Sequence, residues 1–101
     1  MENILKYSFW QRLQQLPFVE KIVLYGSRAR QDNQERSDID IAISCPKATK
    51  IDWQKVLNII ENADTLLKID CVRLDTLSKT NPLLISIQQD GKILYEQRGL
   101  S

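Results

Sequence analysis

The sequence contains no histidine. That absence removes the Ser-His-Asp triad, the Cys-His pair and the mixed cysteine-histidine zinc sites together, so acid-base or metal chemistry would fall to carboxylates. Carboxylate oxygens are hard ligands that suit Mg²⁺ or Mn²⁺, and Mg²⁺ is usually completed by phosphate oxygens, which points towards nucleotide chemistry. Cysteine is scarce: Cys45 and Cys71 lack metal-site spacing and read as reduced core thiols. No apolar run approaches the roughly 18 residues needed to span a bilayer, so no membrane protein is expected. Met1 to Lys6 lacks a basic segment followed by a long apolar stretch and a small-residue cleavage site, which makes the cytoplasm the expected address. Neither sign of charge dominates. Fourteen basic against thirteen acidic residues leave a net charge of +1, so no global field draws the chain onto nucleic acid, and any phosphate recognition must be local.

What is present fits a small globular unit. A chain of 101 residues accommodates one domain, 1–101, without repeat or linker. Leu5, Phe9, Leu13 and Leu16 recur at helical spacing and predict an amphipathic helix from about Asn3 to Gln15, ended by Pro17. Trp10, like Trp53 further on, sits where it serves either the core or an interface. Ile22 to Tyr25 reads as a strand buried on both faces and closed by Gly26 in a loop. Ser27 to Arg36 carries no apolar residue larger than alanine and reads as a turn or short helix over solvent.

From Asp38 to Ser44 the pattern alternates, with Ile39, Ile41 and Ile43 on one face and Asp38, Asp40, Ala42 and Ser44 on the other. The isoleucine face requires a core. The carboxylate face requires water, a cation or a ligand, because bare buried carboxylates are strongly unfavourable. Trp53, Val56, Leu57 and Ile60 mark a second helix, with Thr49 and Asp52 at capping-box spacing before it. Leu66 to Leu74 predicts a third strand, Asn81-Pro82 a helix start, Asp90-Gly91 its stop, and Ile93 to Tyr95 a last strand. The expected fold is α/β (α+β), with helices packed on a small mixed sheet.

Asp38 and Asp40, two positions apart on one strand, project from the same face about 6 to 7 Å apart at the backbone. That is close enough to share metal ions of the kind that clamp the attacking and leaving oxygens of a phosphoryl displacement. An isolated Asp-x-Asp is as readily an exposed strand face. Asp70 adds a third carboxylate from another strand, which joins the cluster if the two strands are neighbours. Asp64 and Asp75 compete for that role, but Asp70 lies within the apolar strand itself, where a charge needs a reason. Gly26-Ser27 allows backbone amides and a hydroxyl to approach an anion, although such a pair is more often a turn.

The combination Gly26-Ser27-Arg28-Ala29-Arg30, then Ser37-Asp38-Ile39-Asp40, then Asp70, resembles the nucleotidyltransferase superfamily related to DNA polymerase beta, and most closely its minimal, single-domain branch. The resemblance implies the polymerase beta-like fold and transfer of a nucleotide from a triphosphate, such as ATP, to a hydroxyl with release of pyrophosphate. It implies Asp38 and Asp40 as ligands of Mg²⁺, with Mn²⁺ as an alternative, and Asp70 as the third catalytic carboxylate. Gly26 and Ser27 become the triphosphate cradle, with Arg28 and Arg30 as phosphate-steadying candidates. The family's glycine after the Ala-Arg pair is Gln31 here. Minimal members are commonly paired with a HEPN-domain ribonuclease toxin and act as its antitoxin by adenylylating a tyrosine. The resemblance implies such a protein partner here, in a homo- or hetero-oligomer, with neither nucleic acid nor membrane. A binding-only antitoxin and a transferase for an aminoglycoside-like small molecule are the alternatives.

Overall fold

The computed structural model describes residues 6–97. Its elements are α1 (Phe9–Gln14), β1 (Lys21–Tyr25), α2 (Gly26–Arg30), β2 (Ile39–Ser44), α3 (Lys50–Glu61), β3 (Ile69–Arg73), a 3₁₀ turn (Leu74–Thr76), α4 (Pro82–Asp90) and β4 (Lys92–Glu96). The strands form one mixed sheet in the order β3-β2-β1-β4. β1 runs antiparallel to both β2 and β4, whereas β2 and β3 are parallel and joined through α3. The expected architecture of helices on a small mixed sheet is what forms.

Both faces of the sheet are covered, unequally. Ile22 and Leu24 of β1 and Ile39, Ile41 and Ile43 of β2 form the main core with Phe9, Trp10 and Leu13 of α1 and Val56 and Ile59 of α3. Each fully buried isoleucine contributes roughly 1.5 to 3 kcal/mol by leaving water, so the alternating stripe of β2 anchors the fold. Trp10 is buried and Trp53 packs against the same core, which settles both as packing residues. On the other face Val23, Tyr25 and Ala42 meet Ile87 of α4, with Leu74, Leu77 and Leu83 around them. Ala42 is fully buried, so the polar-looking face of β2 is covered at its middle and partly open at Asp40 and at Ser44.

Several boundaries follow from specific contacts. The first helix begins at Phe9, so Lys6 to Ser8, which the expected span included, precede it. The Ser8 amide donates to both carboxylate oxygens of Asp64 at 3.0 Å, tethering the chain at that entry, and Asn3 to Leu5 lie outside the described residues. β3 spans Ile69 to Arg73, shorter than the expected Leu66 to Leu74, because its pairing with β2 starts at Ile39↔Ile69 and a strand persists only where it has a partner. Leu66 is consequently exposed on the preceding turn. The chain leaves β1 directly into a helical turn, with no loop between, and Arg28 and Ala29 within that turn are buried rather than facing solvent.

The remaining caps match their residue chemistry. Thr49 and Asp52 exchange side-chain-to-backbone hydrogen bonds of 3.1 and 3.0 Å in a capping box. Asn81 Oδ1 accepts from the Leu83 amide at 2.9 Å to start α4. Gly91 ends it where a Cβ would collide with the Ile87 carbonyl and with Val23. Among the described residues no helix is long and apolar enough to cross a membrane.

Candidate active site

The two aspartates most in need of a reason are brought side by side. Tyr25 of β1 lies opposite Asp40 of β2, and Asp40 in turn lies opposite Asp70 of β3. Side chains at paired positions share a face, so Tyr25, Asp40 and Asp70 form a row across three strands. The next row, Val23, Ala42 and Val72, is roofed by α4 and the Leu74 to Leu77 turn. The carboxylates therefore stand where the covered face opens. Asp38, one residue before β2, is exposed beside them.

Their electrostatics are unbalanced. The Asp40 carboxyl is pushed from 3.8 up to about 6 by burial first, then by the negative charges of Asp70 and Asp38 and by its contact with Asp70, against a smaller opposing pull from Arg30. The Tyr25 hydroxyl is raised to about 12 by burial and then by Asp40 and Asp70. Lys68 reaches Asp70 at 3.6 Å, but both side chains are well exposed, and such a pair is worth little. Among the described residues no three potential ligands converge into a ready metal cage. The donor set nevertheless fits a hard divalent cation: oxygens only, with a net negative charge that the protein's own cations do not offset.

Gly26 joins the row from below. It has a φ of 74°, and a Cβ there would run into the Asp40 carboxylate. Glycine is thus required both by the backbone and by the close approach of the carboxylate. It lies at the junction of β1 and α2, so of the two expected cradle residues Gly26 is against Asp40 and Ser27 follows it in the first turn of α2. Gln31, which replaces the family's glycine, closes α2 in the left-handed region with φ 64° and ψ 27°. A left-handed conformation that favours glycine is thus held by glutamine, at the strain expected of a side chain there.

The two arginines separate. Arg30 is partly exposed, sits 3.1 Å from Asp32 and 3.7 Å from Asp90, and its charge reaches Asp40. Arg28 instead points inward and is buried. Its Nε and Nη2 donate to the Ser37 carbonyl at 3.1 and 2.8 Å, and Nη2 also donates to the Glu35 carbonyl at 3.1 Å. Its guanidinium grips the loop rather than the open face where the carboxylates stand.

Both competing carboxylates are engaged elsewhere. Asp64 receives the Ser8 amide, and Asp75 receives the Cys45 amide at 2.8 Å and pairs with Arg73 at 3.0 Å. Arg73 also donates to the Cys45 and Ala48 carbonyls, so this cluster ties the ends of β2 and β3 together. Cys45 and Cys71 are free thiols. Sequence reasoning missed Tyr25, whose place in the row was signalled by its parity with Val23 against Leu24. Two cavities exist elsewhere, about 560 Å³ beside Lys6, Tyr7, Arg28 and Arg36, and about 310 Å³ between α4 and β4. Neither is lined by the aspartates or by Gly26 and Ser27, which stand together as a carboxylate platform where the covered face of the sheet ends.

Such a carboxylate row on such a sheet fits a nucleotidyltransferase domain. The family described as polymerase beta, nucleotidyltransferase matches residues 10–99, and the chain belongs to it. Solved structures share the fold. A toxin-antitoxin with AMP-PNP is similar at 24% identity and a TM-score of 0.61, over 90% of this chain and 73% of that one. A mutant of the toxin-antitoxin MntA-HpeT reaches a TM-score of 0.63 at 24% identity, over 97% and 76%. The toxin-antitoxin MntA-HepT reaches 0.53 at 24%, over 87% and 68%. No curated protein matches in sequence.

Proposed function

We propose that this chain is a Mg²⁺-dependent adenylyltransferase antitoxin that transfers AMP from ATP to a hydroxyl, a tyrosine in the first instance, of a HEPN-domain toxin. The observation that carries the reading is the pairing of Asp40 with Asp70 across β2 and β3, with Gly26 packed against Asp40 and Asp38 two residues before it. The toxin-antitoxin structures that share the fold support the choice of partner, and the one with AMP-PNP supports an adenine nucleotide.

In this reading Asp38, Asp40 and Asp70 hold Mg²⁺, with Mn²⁺ able to replace it. When bound, the ion neutralises triphosphate charge and favours in-line displacement. Gly26 and Ser27 offer backbone and hydroxyl donors to the triphosphate, and Arg30 adds positive charge from the side. The acceptor oxygen attacks the α-phosphorus, the bond to the bridging oxygen breaks and pyrophosphate leaves. Asp70, the outermost carboxylate and partly open to water, takes the proton of the attacking hydroxyl.

The test is the intact mass of a co-expressed HEPN-domain partner after incubation with ATP and Mg²⁺. A shift by one or more adenylyl units is expected, lost in the Asp38→Asn, Asp40→Asn double variant. Equal labelling by that variant would overturn the metal assignment. Neutralisation of the toxin without ATP would make the chain a binding-only antitoxin, and pyrophosphate release with an aminoglycoside alone would make it a small-molecule transferase.

A further inference from the structure

The loop of residues 31–37 delivers Asp38 to the platform, yet it contains no apolar residue to anchor it. It is held by short polar bonds instead: Ser37 donates its amide to the Gln34 carbonyl at 3.0 Å, the Gln34 amide donates to Ser37 Oγ at 2.9 Å, Asn33 Nδ2 donates to the Gln34 carbonyl at 3.3 Å, and the Gln31 and Asp32 amides donate to the Arg28 and Ser27 carbonyls at 3.4 and 3.1 Å. Left to these alone, such a loop would wander, and with it the carboxylate that follows.

We infer that Arg28 is a positioning residue for the metal ligands: its buried guanidinium fastens the Glu35 and Ser37 carbonyls and thereby fixes where Asp38 stands relative to Asp40. Three observations carry this. Arg28 is 4% exposed, although it lies in a five-residue helical turn at the surface of a small domain. It makes two donations to one carbonyl, that of the residue immediately preceding Asp38, and a third two residues earlier. It also starts from a fixed base, because α2 begins at Gly26 and Gly26 is packed against Asp40. One short segment therefore carries both the glycine that accommodates Asp40 and the arginine that holds the approach to Asp38. The planar fork of a guanidinium can bond two carbonyls at once, which the ammonium of lysine cannot reproduce in the same geometry.

The inference rests on the adenylyltransferase reading for its catalytic consequence but not for its structural one, and the experiment separates them. Arg28→Lys keeps the charge and removes the fork. Amide hydrogen exchange of the whole chain should show faster exchange at Gln34 and Ser37 in the variant, with protection in β1 and β2 unchanged. Mn²⁺ titration should show affinity weakened about 10- to 100-fold, the range for loss of a group that orients a metal ligand. Adenylylation should fall in kcat, with partial rescue by excess metal and little change in the KM for ATP. A Ser37→Ala variant, which loosens the same loop while leaving the guanidinium in place, should move each readout the same way by less, and it keeps the test sharp if the lysine variant folds poorly.

Unchanged loop exchange would overturn the clamp whatever the protein's activity. Faster exchange with unchanged Mn²⁺ affinity would overturn its link to Asp38. A raised KM for ATP at unchanged metal affinity would place Arg28 on the nucleotide instead. If the parent protein itself failed to bind Mn²⁺, the adenylyltransferase reading would fall and with it the inferred role of Arg28 towards a metal.

Discussion

Replacing Asp40 by asparagine should make the metal-free protein more stable while destroying its affinity for the metal. The carboxyl rises from 3.8 to about 6 in the fold, and each tenfold change in a proton-binding constant is about 1.4 kcal/mol of differential interaction. Undiscounted, the ionised carboxylate would disfavour folding by about 3 kcal/mol at neutral pH. Water reaches the Asp38–Asp40 end of the face and screens part of that, so an effect of about 1 to 2 kcal/mol is expected.

The sign follows from proton binding. Between pH 4 and pH 6, approximately, the folded state holds more protons on Asp40 than the unfolded state does. Stability contributed by this site therefore falls as pH rises through that window and is lowest above it. Asparagine is neutral throughout and removes the slope. Thermal unfolding followed by tryptophan fluorescence, in chelator, should show Asp40→Asn melting above the parent by roughly 5 to 10 °C at pH 7.5, with the gap closing towards pH 4. Adding Mg²⁺ should reverse the order, since at a hundred times its dissociation constant a ligand stabilises the parent by about 2.7 kcal/mol and leaves a variant that cannot bind it unmoved. A variant no more stable than the parent at pH 7.5 would refute the reasoning, as would a gap of the same size at pH 4.

Two other substitutions probe the surroundings. Gln31→Gly should relieve the left-handed backbone and raise stability by up to about 1 kcal/mol in urea unfolding, offset in part by the entropy that glycine brings to the unfolded chain. Asp75→Ala should lower stability by about 2 to 4 kcal/mol, because it strands the Cys45 amide and leaves Arg73 without its carboxylate in a cluster that is more than four-fifths buried. It should leave the Mn²⁺ affinity of folded protein unchanged, which would set the cluster apart from the platform.

The alternation of β2 was enough to read both the core stripe and the projecting carboxylates, because a strand allows only two faces and three isoleucines chose one of them. Asp70 was legible by parity, and its adjacency to Asp40 came from register, which a single strand's pattern does not carry. The start of α1 was misplaced because the contact that sets it, Ser8 to Asp64, joins residues 56 apart in the chain. Arg28 was the clearest failure of local reasoning. Its neighbours in sequence are polar and it reads as solvent-facing, yet the loop folds back over it and supplies carbonyls, a partner type that no side-chain pattern announces. Ala42 misled in the opposite way, since only the docking of α4 makes that end of the face a core.

The departures from local preference are not scattered. Gly26 holds a positive φ against a carboxylate, Gln31 holds a positive φ without being glycine, and Asp40 is held beside two like charges in a half-buried place. All three fall within one short stretch, from the end of β1 to the start of β2, while caps, stripes and turns elsewhere follow their ordinary rules. Strain and unbalanced charge of this kind persist in a small domain only where the surrounding core over-determines them, and here the isoleucine stripe directly beneath Asp40 does so. A fold of this size selected for stability alone would have a neutral residue at position 40. The carboxylate is better accounted for by what it can hold, and the stability regained on binding a cation measures how much of the strain that cation removes.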